Sequence, residues 1–187
     1  VGNIGDSFAR QVAKDPKPLY VAEISSFQLD DIKTFRPDIA ILTNITEDHL
    51  DRYDYQFENY IRSKFRIAMN QQQDDHFIYC ADDEVTMKYL NQFNIQSNQL
   101  PISMKRELPN GAFSKDGDMY VRTGQDFTTM SVFDFALKGK HNQYNTMAAC
   151  VAAATMDIRK DKIRDAVQNF HSLEHRGEHV ATVRGVE

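Results

Sequence analysis

Apolar positions along this chain alternate between short unbroken runs and stretches with helical spacing. Leu19-Tyr20-Val21-Ala22-Glu23-Ile24 is one such run, and Asp38-Ile39-Ala40-Ile41-Leu42-Thr43, after the breaker Pro37, is a second. Both predict buried strands, as does His76-Phe77-Ile78-Tyr79-Cys80. Between them, Phe57–Met69 carries apolar residues at helical spacing. Asp82 or Asp83 stands where it can cap a helix through Val85, Met87, Tyr89, Leu90 and Phe93. Strands alternating with helices predict an α/β fold, a mostly parallel sheet flanked by helices.

The pattern changes from Ile95 to Leu137. Short β runs with turn signals predict a small antiparallel edge, with Lys115-Asp116-Gly117-Asp118 turning between Ala112-Phe113 and Met119-Tyr120-Val121. Helices return at Asn145–Thr155, which is Ala-rich, and at Asp161–Phe170. Val180–Val186 reads as the first strand of a following domain. The expected division is residues 1–172 as one domain and 173–187 as a linker and the start of another. The chain opens without Met on the turn-like Val1-Gly2-Asn3-Ile4-Gly5, which reads as the middle of a longer protein.

Composition adds exclusions. At 187 residues, 41% hydrophobic and 26% charged, the chain can bury one sizeable core. No apolar run approaches the roughly 18 residues of a membrane span. A formal net charge of -5 argues against nucleic acid or an anionic membrane as partner, so a phosphate-bearing ligand must be gripped locally, by a few donors or a metal. The cysteines, Cys80 and Cys150, lie in apolar surroundings and read as buried free thiols, which points to a reducing compartment, the cytoplasm.

Polar clusters at strand ends are where an open parallel sheet collects ligands. Glu23-Ile24-Ser25-Ser26-Phe27-Gln28 offers a carboxylate, either a cap for the next turn or an acid that holds Mg²⁺. Thr43-Asn44-Ile45-Thr46-Glu47-Asp48-His49-Leu50-Asp51-Arg52-Tyr53 concentrates acids, an imidazole and a guanidinium. It reads as a metal or phosphate site, against a solvated loop with Asp48 or Asp51 capping a helix. A zinc site lacks a second His or Cys at ligand spacing.

On the helix from Phe57, positions 57, 60, 61, 64, 65 and 68 form one face, so Lys64 alone sets its charge on the apolar stripe. Arg62 and Arg66 fall on the opposite side, where Glu58 is spaced to pair with Arg62. Lys64 either snorkels or points into a site, where a desolvated amine can take up CO₂ as a carbamate and become an oxygen ligand for Mg²⁺. Asn142 and Asn145, flanking the start of the Ala-rich helix, read as N-caps or as amides that contact a nucleotide. Arg176 reads as a solvated surface residue or a phosphate contact.

Taken in order, these segments resemble the Mur ligases, and the resemblance covers nearly the whole chain. It is carried by Gly2-Asn3-Ile4-Gly5, Glu23 to Leu29, Thr43-Asn44-Ile45, Asp48 to Tyr53, Ser63-Lys64 with Arg66-Ile67, Gly139-Lys140-His141-Asn142 with Asn145, and His175-Arg176 with Glu178. Ser-Ser-Phe-Gln-Leu and the Arg-Tyr after His-Leu-Asp favour the branch that adds D-glutamate to UDP-N-acetylmuramoyl-L-alanine (UDP-MurNAc-L-alanine). The resemblance implies a P-loop-type central ATPase domain and an ATP-dependent ligase of peptidoglycan precursor synthesis that works through an acyl phosphate.

It also implies roles for individual residues. Glu23 would be a ligand of one Mg²⁺, and His49 with carbamylated Lys64 would be ligands of a second. Asn3, Ser25, Gln28 and His49 would lie against the UDP-sugar, Asn142 and Asn145 against ATP, and Arg176 against its terminal phosphate. The family's Gly-rich loop ending in Gly-Lys-Ser/Thr does not occur in these residues. The loop and the N- and C-terminal domains are expected as missing parts of the same chain, which makes this fragment inactive alone. Other readings are another amide ligase of the superfamily, of the L-alanine-adding or folylpolyglutamate type, a metal-dependent phosphohydrolase built on Asp48-His49-Leu50-Asp51, and a non-catalytic nucleotide-binding module.

Overall fold

A computed structural model describes residues 1–170 apart from Ile4, Asp6, Gln125 and Lys138. The expectations for Arg176, for residues 173–187 and for a strand at Val180–Val186 lie outside the described residues. The chain divides into two compact units, one of residues 1–77 and 83–98, the other of residues 78–82 and 99 onward.

The first unit opens on helix α1, Phe8–Lys14, whose Ser7 cap accepts from the Arg10 amide and which buries none of its residues. Helix α2, Ser26–Asp30, strand β1, Ile39–Leu42, and a 3₁₀ turn at Leu50–Tyr53 follow. Helix α3, Phe57–Phe65, then tightens into a 3₁₀ turn at Arg66–Ala68, so the apolar stretch 57–69 ends in two geometries rather than one helix. Strand β2, His76–Cys80, begins in this unit. Helix α4, Glu84–Tyr89, also lies in it, capped by Asp83 through the Thr86 amide at 2.8 Å. Ile61 and Phe65 of α3 sit in the core, where the Phe65 ring stacks on Phe93 at 4.2 Å between centroids and tilts against Phe77.

In the second unit β2 continues and is joined by β3, Asn98–Ser103, from its second residue onward, and by β4, Gly111–Lys115, β5, Asp118–Thr123, and β6, Asp126–Ser131. Helices α5, Lys140–Thr155, and α6, Lys160–Asn169, complete it. Hydrogen-bonded strands follow the order β1-β2-β3-β4-β5-β6. β3 pairs parallel with β4, while β4, β5 and β6 form the antiparallel edge. The expected two-residue turn is present: Asp116 and Gly117 both take positive φ, 52° and 86°, as a hairpin turn matched to strand twist requires. Ile102, Met119, Met147 and Val151 are fully buried among these elements. Cys80 and Cys150 are buried and not joined in a disulfide, and burial pushes the Cys150 thiol up to about 12.

Three expectations are corrected. Leu19–Ile24 is not a buried strand. It runs extended but open, with Leu19 55% and Val21 83% exposed, and its ladder is a single parallel bridge between Gly2 and Glu23. Among the described residues its pairing comes from Val1–Asn3, which is too short to cover either face. Arg66 is not on a solvent face. Its guanidinium donates to the carbonyls of Leu29 at 2.6 Å and Ile32 at 2.9 Å, at and just past the end of α2. Glu58 does not pair with Arg62 but accepts from the Tyr89 hydroxyl at 2.9 Å.

Asp75, 3% exposed, accepts from Arg36 through both oxygens, at 2.6 and 3.0 Å, and from the Gln72 amide at 2.6 Å. The Arg36 guanidinium holds this carboxyl below the usual range, against the opposing effect of burial. A depressed folded-state value means stability present above the unfolded value of about 4 and lost as pH falls through the lower folded one. Asp75→Asn is therefore expected to destabilise the chain at neutral pH and flatten the acid limb of its stability profile, read as urea midpoints from pH 7 to pH 2. Gly111 has φ +83°, and a Cβ there would lie 1.9 Å from the Pro101 carbonyl oxygen of the neighbouring strand. Gly111→Ala is expected to cost about 2 kcal/mol or more and to lower the thermal midpoint by roughly 4–8 °C in a calorimetric scan.

Candidate functional site

Most of the residues singled out in the sequence lie in the first unit. Glu23 is exposed and its backbone is fixed from one side: the Asn3 amide donates to its carbonyl at 2.7 Å and its own amide donates to Val1 at 3.0 Å. The Asn3 side chain reaches its carboxylate at 3.2 Å, so these two predicted residues are brought together. Gly2 makes the approach possible, since a Cβ at that position would stand 2.3 Å from the Glu23 carbonyl oxygen.

Ser25 and Gln28 form a capping box at the start of α2. The Ser25 hydroxyl accepts from the Gln28 amide, and the Gln28 side-chain oxygen accepts from the Ser25 amide at 2.9 Å and from its hydroxyl at 3.1 Å. A five-residue helix cannot hold itself. Two of its carbonyls accept from α3 and the turn after it: the Ser63 hydroxyl donates to Ser26 at 2.8 Å, and Arg66 donates to Leu29. The Tyr53 hydroxyl lies 3.0 Å from Asp30 and 3.2 Å from Ser63, tying the 43–53 loop to the same joint.

His49 sits in the left-handed region at φ 50°, ahead of the 3₁₀ turn, where the sequence suggested Asp48 or Asp51 as cap. Asp48 instead accepts from the His49 amide at 2.8 Å and lies 3.4 Å from His49 Nε2. The imidazole, half exposed, packs on Phe27 with centroids 5.0 Å apart. Arg52 covers the same ring at 4.4 Å and Tyr53 lies nearly parallel to it. Phe27 is thus a platform that sequence reasoning quoted without a role; the signal was an aromatic placed between two polar, capping positions. Lys64 is half-buried, its Nζ 5.1 Å from the centroid of Tyr60, one turn earlier on α3.

Among the described residues no three His, Cys, Asp or Glu side chains converge as a metal cluster. Zinc sites draw on three or four such ligands, whereas Mg²⁺ takes one or two protein oxygens and completes its shell with water and phosphate. Glu23, exposed and held by one amide, has free lone pairs for that role.

Asn142 and Asn145 belong to the second unit. Neither caps α5, because Gly139 occupies the N-cap position and both side chains stand inside the helix. Near them is a network that the sequence did not reveal. Asp82 accepts from the Ser103 hydroxyl at 2.6 Å, the Met104 amide at 2.6 Å and the Tyr144 hydroxyl at 2.7 Å. Burial opposes its charge, but these bonds outweigh burial and hold its carboxyl below the ordinary range. Burial and the Asp82 charge push the Tyr144 phenol up. Arg176 lies outside the described residues.

The family described as Mur ligase middle domain matches residues 6–153. A relative in Christiangramia forsetii, a UDP-N-acetylmuramoylalanine–D-glutamate ligase, is 47% identical over 185 residues, covering 99% of this chain and 42% of its own length. The ligase of the same name in Porphyromonas gingivalis is 44% identical over 188 residues, covering all of this chain and 42% of its own. The chain therefore spans about 42% of the length of these curated relatives. Among solved structures, MurF ligase from Thermotoga maritima in complex with ADP matches with a TM-score of 0.57 at 15% identity, over 87% of this chain and 39% of that one. A murein peptide ligase from Psychrobacter arcticus matches with a TM-score of 0.57 at 18% identity, over 80% of this chain and 30% of that one. Those two likenesses speak to the fold alone. A family match from residue 6 to residue 153, with relatives aligned along the whole chain, makes this chain a member of the Mur ligase family and a carrier of its middle domain.

Proposed function

We propose that this chain is the middle domain of a ligase that joins D-glutamate to UDP-MurNAc-L-alanine at the expense of ATP, in peptidoglycan precursor synthesis in the cytoplasm. The observation that carries this reading is the alignment, at 47% and 44% identity along essentially the whole chain, with relatives that bear that activity in their names. The joint at Phe27, His49 and Tyr53 falls in the stretches, Ser-Ser-Phe-Gln-Leu and His-Leu-Asp-Arg-Tyr, that favour the D-glutamate branch. Among the described residues no helix is long and apolar enough to cross a membrane.

The reaction has two steps. The terminal carboxylate of UDP-MurNAc-L-alanine attacks the γ-phosphorus of ATP, and ADP leaves with the electrons of the broken P–O bond. The amine of D-glutamate then adds to the acyl carbon, a tetrahedral intermediate forms, and phosphate leaves as the amine loses a proton. The first step brings two anions together, so its barrier is set largely by charge. Glu23 would hold one Mg²⁺, and His49 with Lys64 as a carbamate would hold a second. Bound there, the two ions supply the positive charge that the phosphates need.

The protein's own residues do the rest. Asn3 holds the Glu23 carboxylate at 3.2 Å. Phe27 and Asp48 fix the imidazole of His49 between a ring face and a carboxylate. Ser25 and Gln28 would face the UDP-sugar with the capacity that the capping box leaves them, and Asn142 and Asn145 would offer amides to ATP. Arg176 would meet the terminal phosphate. For Lys64 the carbamate reverses a positive charge to a negative one, which suits a half-buried amine that no carboxylate pairs among the described residues.

In the full-length protein, Lys64→Ala is expected to lower kcat about 100-fold or more with the thermal midpoint nearly unchanged. Labelled bicarbonate should give a carbamate carbon signal in the parent that the variant lacks; wild-type-like turnover in the variant overturns this role. Formation of ADP in the full-length protein should require UDP-MurNAc-L-alanine and be completed to product by D-glutamate, not by L-alanine or L-glutamate. Equal use of another amino acid would move the assignment to a different branch. The 187-residue chain alone is expected to form no amide product in the same assay.

A further inference from the structure

Helix α5 starts without the usual local anchors. Its N-cap Gly139 makes no side-chain capping bond, and its first turn carries no acidic residue. The Tyr144 hydroxyl ties its first two turns to the sheet by a bond to Asp82 Oδ2 at 2.7 Å. Asp82 stands just past the carboxyl end of β2, and Ser103, which donates to its other oxygen, ends β3. Both positions lie at the edge of a sheet where ligands of α/β proteins gather.

The geometry of the helix decides what this bond controls. At 100° per residue Tyr144 shares the inward face with the buried Met147, Ala148 and Val151. Asn142 then lies about 160° around from Tyr144 and Asn145 about 100° around, so neither amide points where the tyrosine does. Apolar packing at Met147 and Val151 is non-directional and tolerates small rotations of the helix. A hydrogen bond to a carboxylate held by two further donors does not, because its acceptor cannot follow.

We infer that the Asp82–Tyr144 bond is a positioning device for the nucleotide, setting the rotation of the first two turns of α5 and with it the direction in which Asn142 and Asn145 present their amides. This rests on the reading above that those amides contact ATP. Tyr144 is a positioning residue, not a catalytic one: its hydroxyl is committed to Asp82. Three donors hold the charge on Asp82 against burial, and burial together with that charge holds the proton on Tyr144, so the bond keeps one polarity.

The test uses the full-length ligase and four variants: Tyr144→Phe, Asp82→Asn, Asn142→Ala and Asn145→Ala. Thermal midpoints and separate KM values for ATP, UDP-MurNAc-L-alanine and D-glutamate are measured for each. Tyr144→Phe is expected to raise KM for ATP about tenfold and leave the other two within about twofold, since one charge-assisted bond is lost and the packed face is kept. Asp82→Asn, which keeps an acceptor oxygen, should move KM for ATP in the same direction by less. The inference is overturned if Tyr144→Phe leaves KM for ATP within about twofold while Asn142→Ala or Asn145→Ala raises it, or if Tyr144→Phe shifts all three constants in parallel. If both asparagine variants bind ATP as the parent does, the nucleotide reading of α5 fails, and the inference falls with it.

Discussion

The joint between α2 and α3 is the constraint on which the first unit's site depends. A helix of five residues has nearly as many open carbonyls as closed ones, and alone in water it would not form. It persists because α3 supplies a hydroxyl to Ser26 and a guanidinium to Leu29 and Ile32, while the Ser25–Gln28 box closes the other end. Lys64 stands in sequence between Ser63 and Arg66. Once those two are engaged, the rotation of α3 is settled and so is the direction of Lys64. Phe27, on the clamped helix, then carries His49 and Arg52 on its ring. One set of polar contacts thus fixes a short helix, a loop and a lysine that are distant in sequence.

How much of this could be read from the residues alone depends on the range of the interaction. β2, the Asp116-Gly117 turn and the Asp83 cap are local, each set by a few neighbours, and all three were legible. The Leu19–Ile24 run was not, because an apolar run predicts a strand only if something pairs with it on both sides, and among the described residues its pairing is with Val1–Asn3 on one side. Arg66 misled for a similar reason. A helical wheel sees a cation away from the stripe, but the open end of α2, more than thirty residues earlier, is what it serves. The candidate residues at 3, 23, 25, 28, 49 and 64 all lie in the first unit, while Ser63, Tyr53 and Phe27 make contacts there to which the sequence assigned no role.

Two carboxylates, each beside extended backbone, show how similar groups yield different chemistry. Glu23 follows an extended segment, is exposed, and receives one side-chain donor at 3.2 Å, so most of its acceptor capacity is open. Asp82 follows β2 and receives three donors at 2.6 to 2.7 Å, from a hydroxyl, an amide and a phenol. An ion approaching Asp82 would have to displace short bonds in a partly buried setting, where an unpaired polar group is costly. An ion approaching Glu23 displaces water. Availability, not acidity or position alone, separates a ligand from a strut, and by that measure Glu23 is the group that can meet a cation and Asp82 the group that holds a helix still.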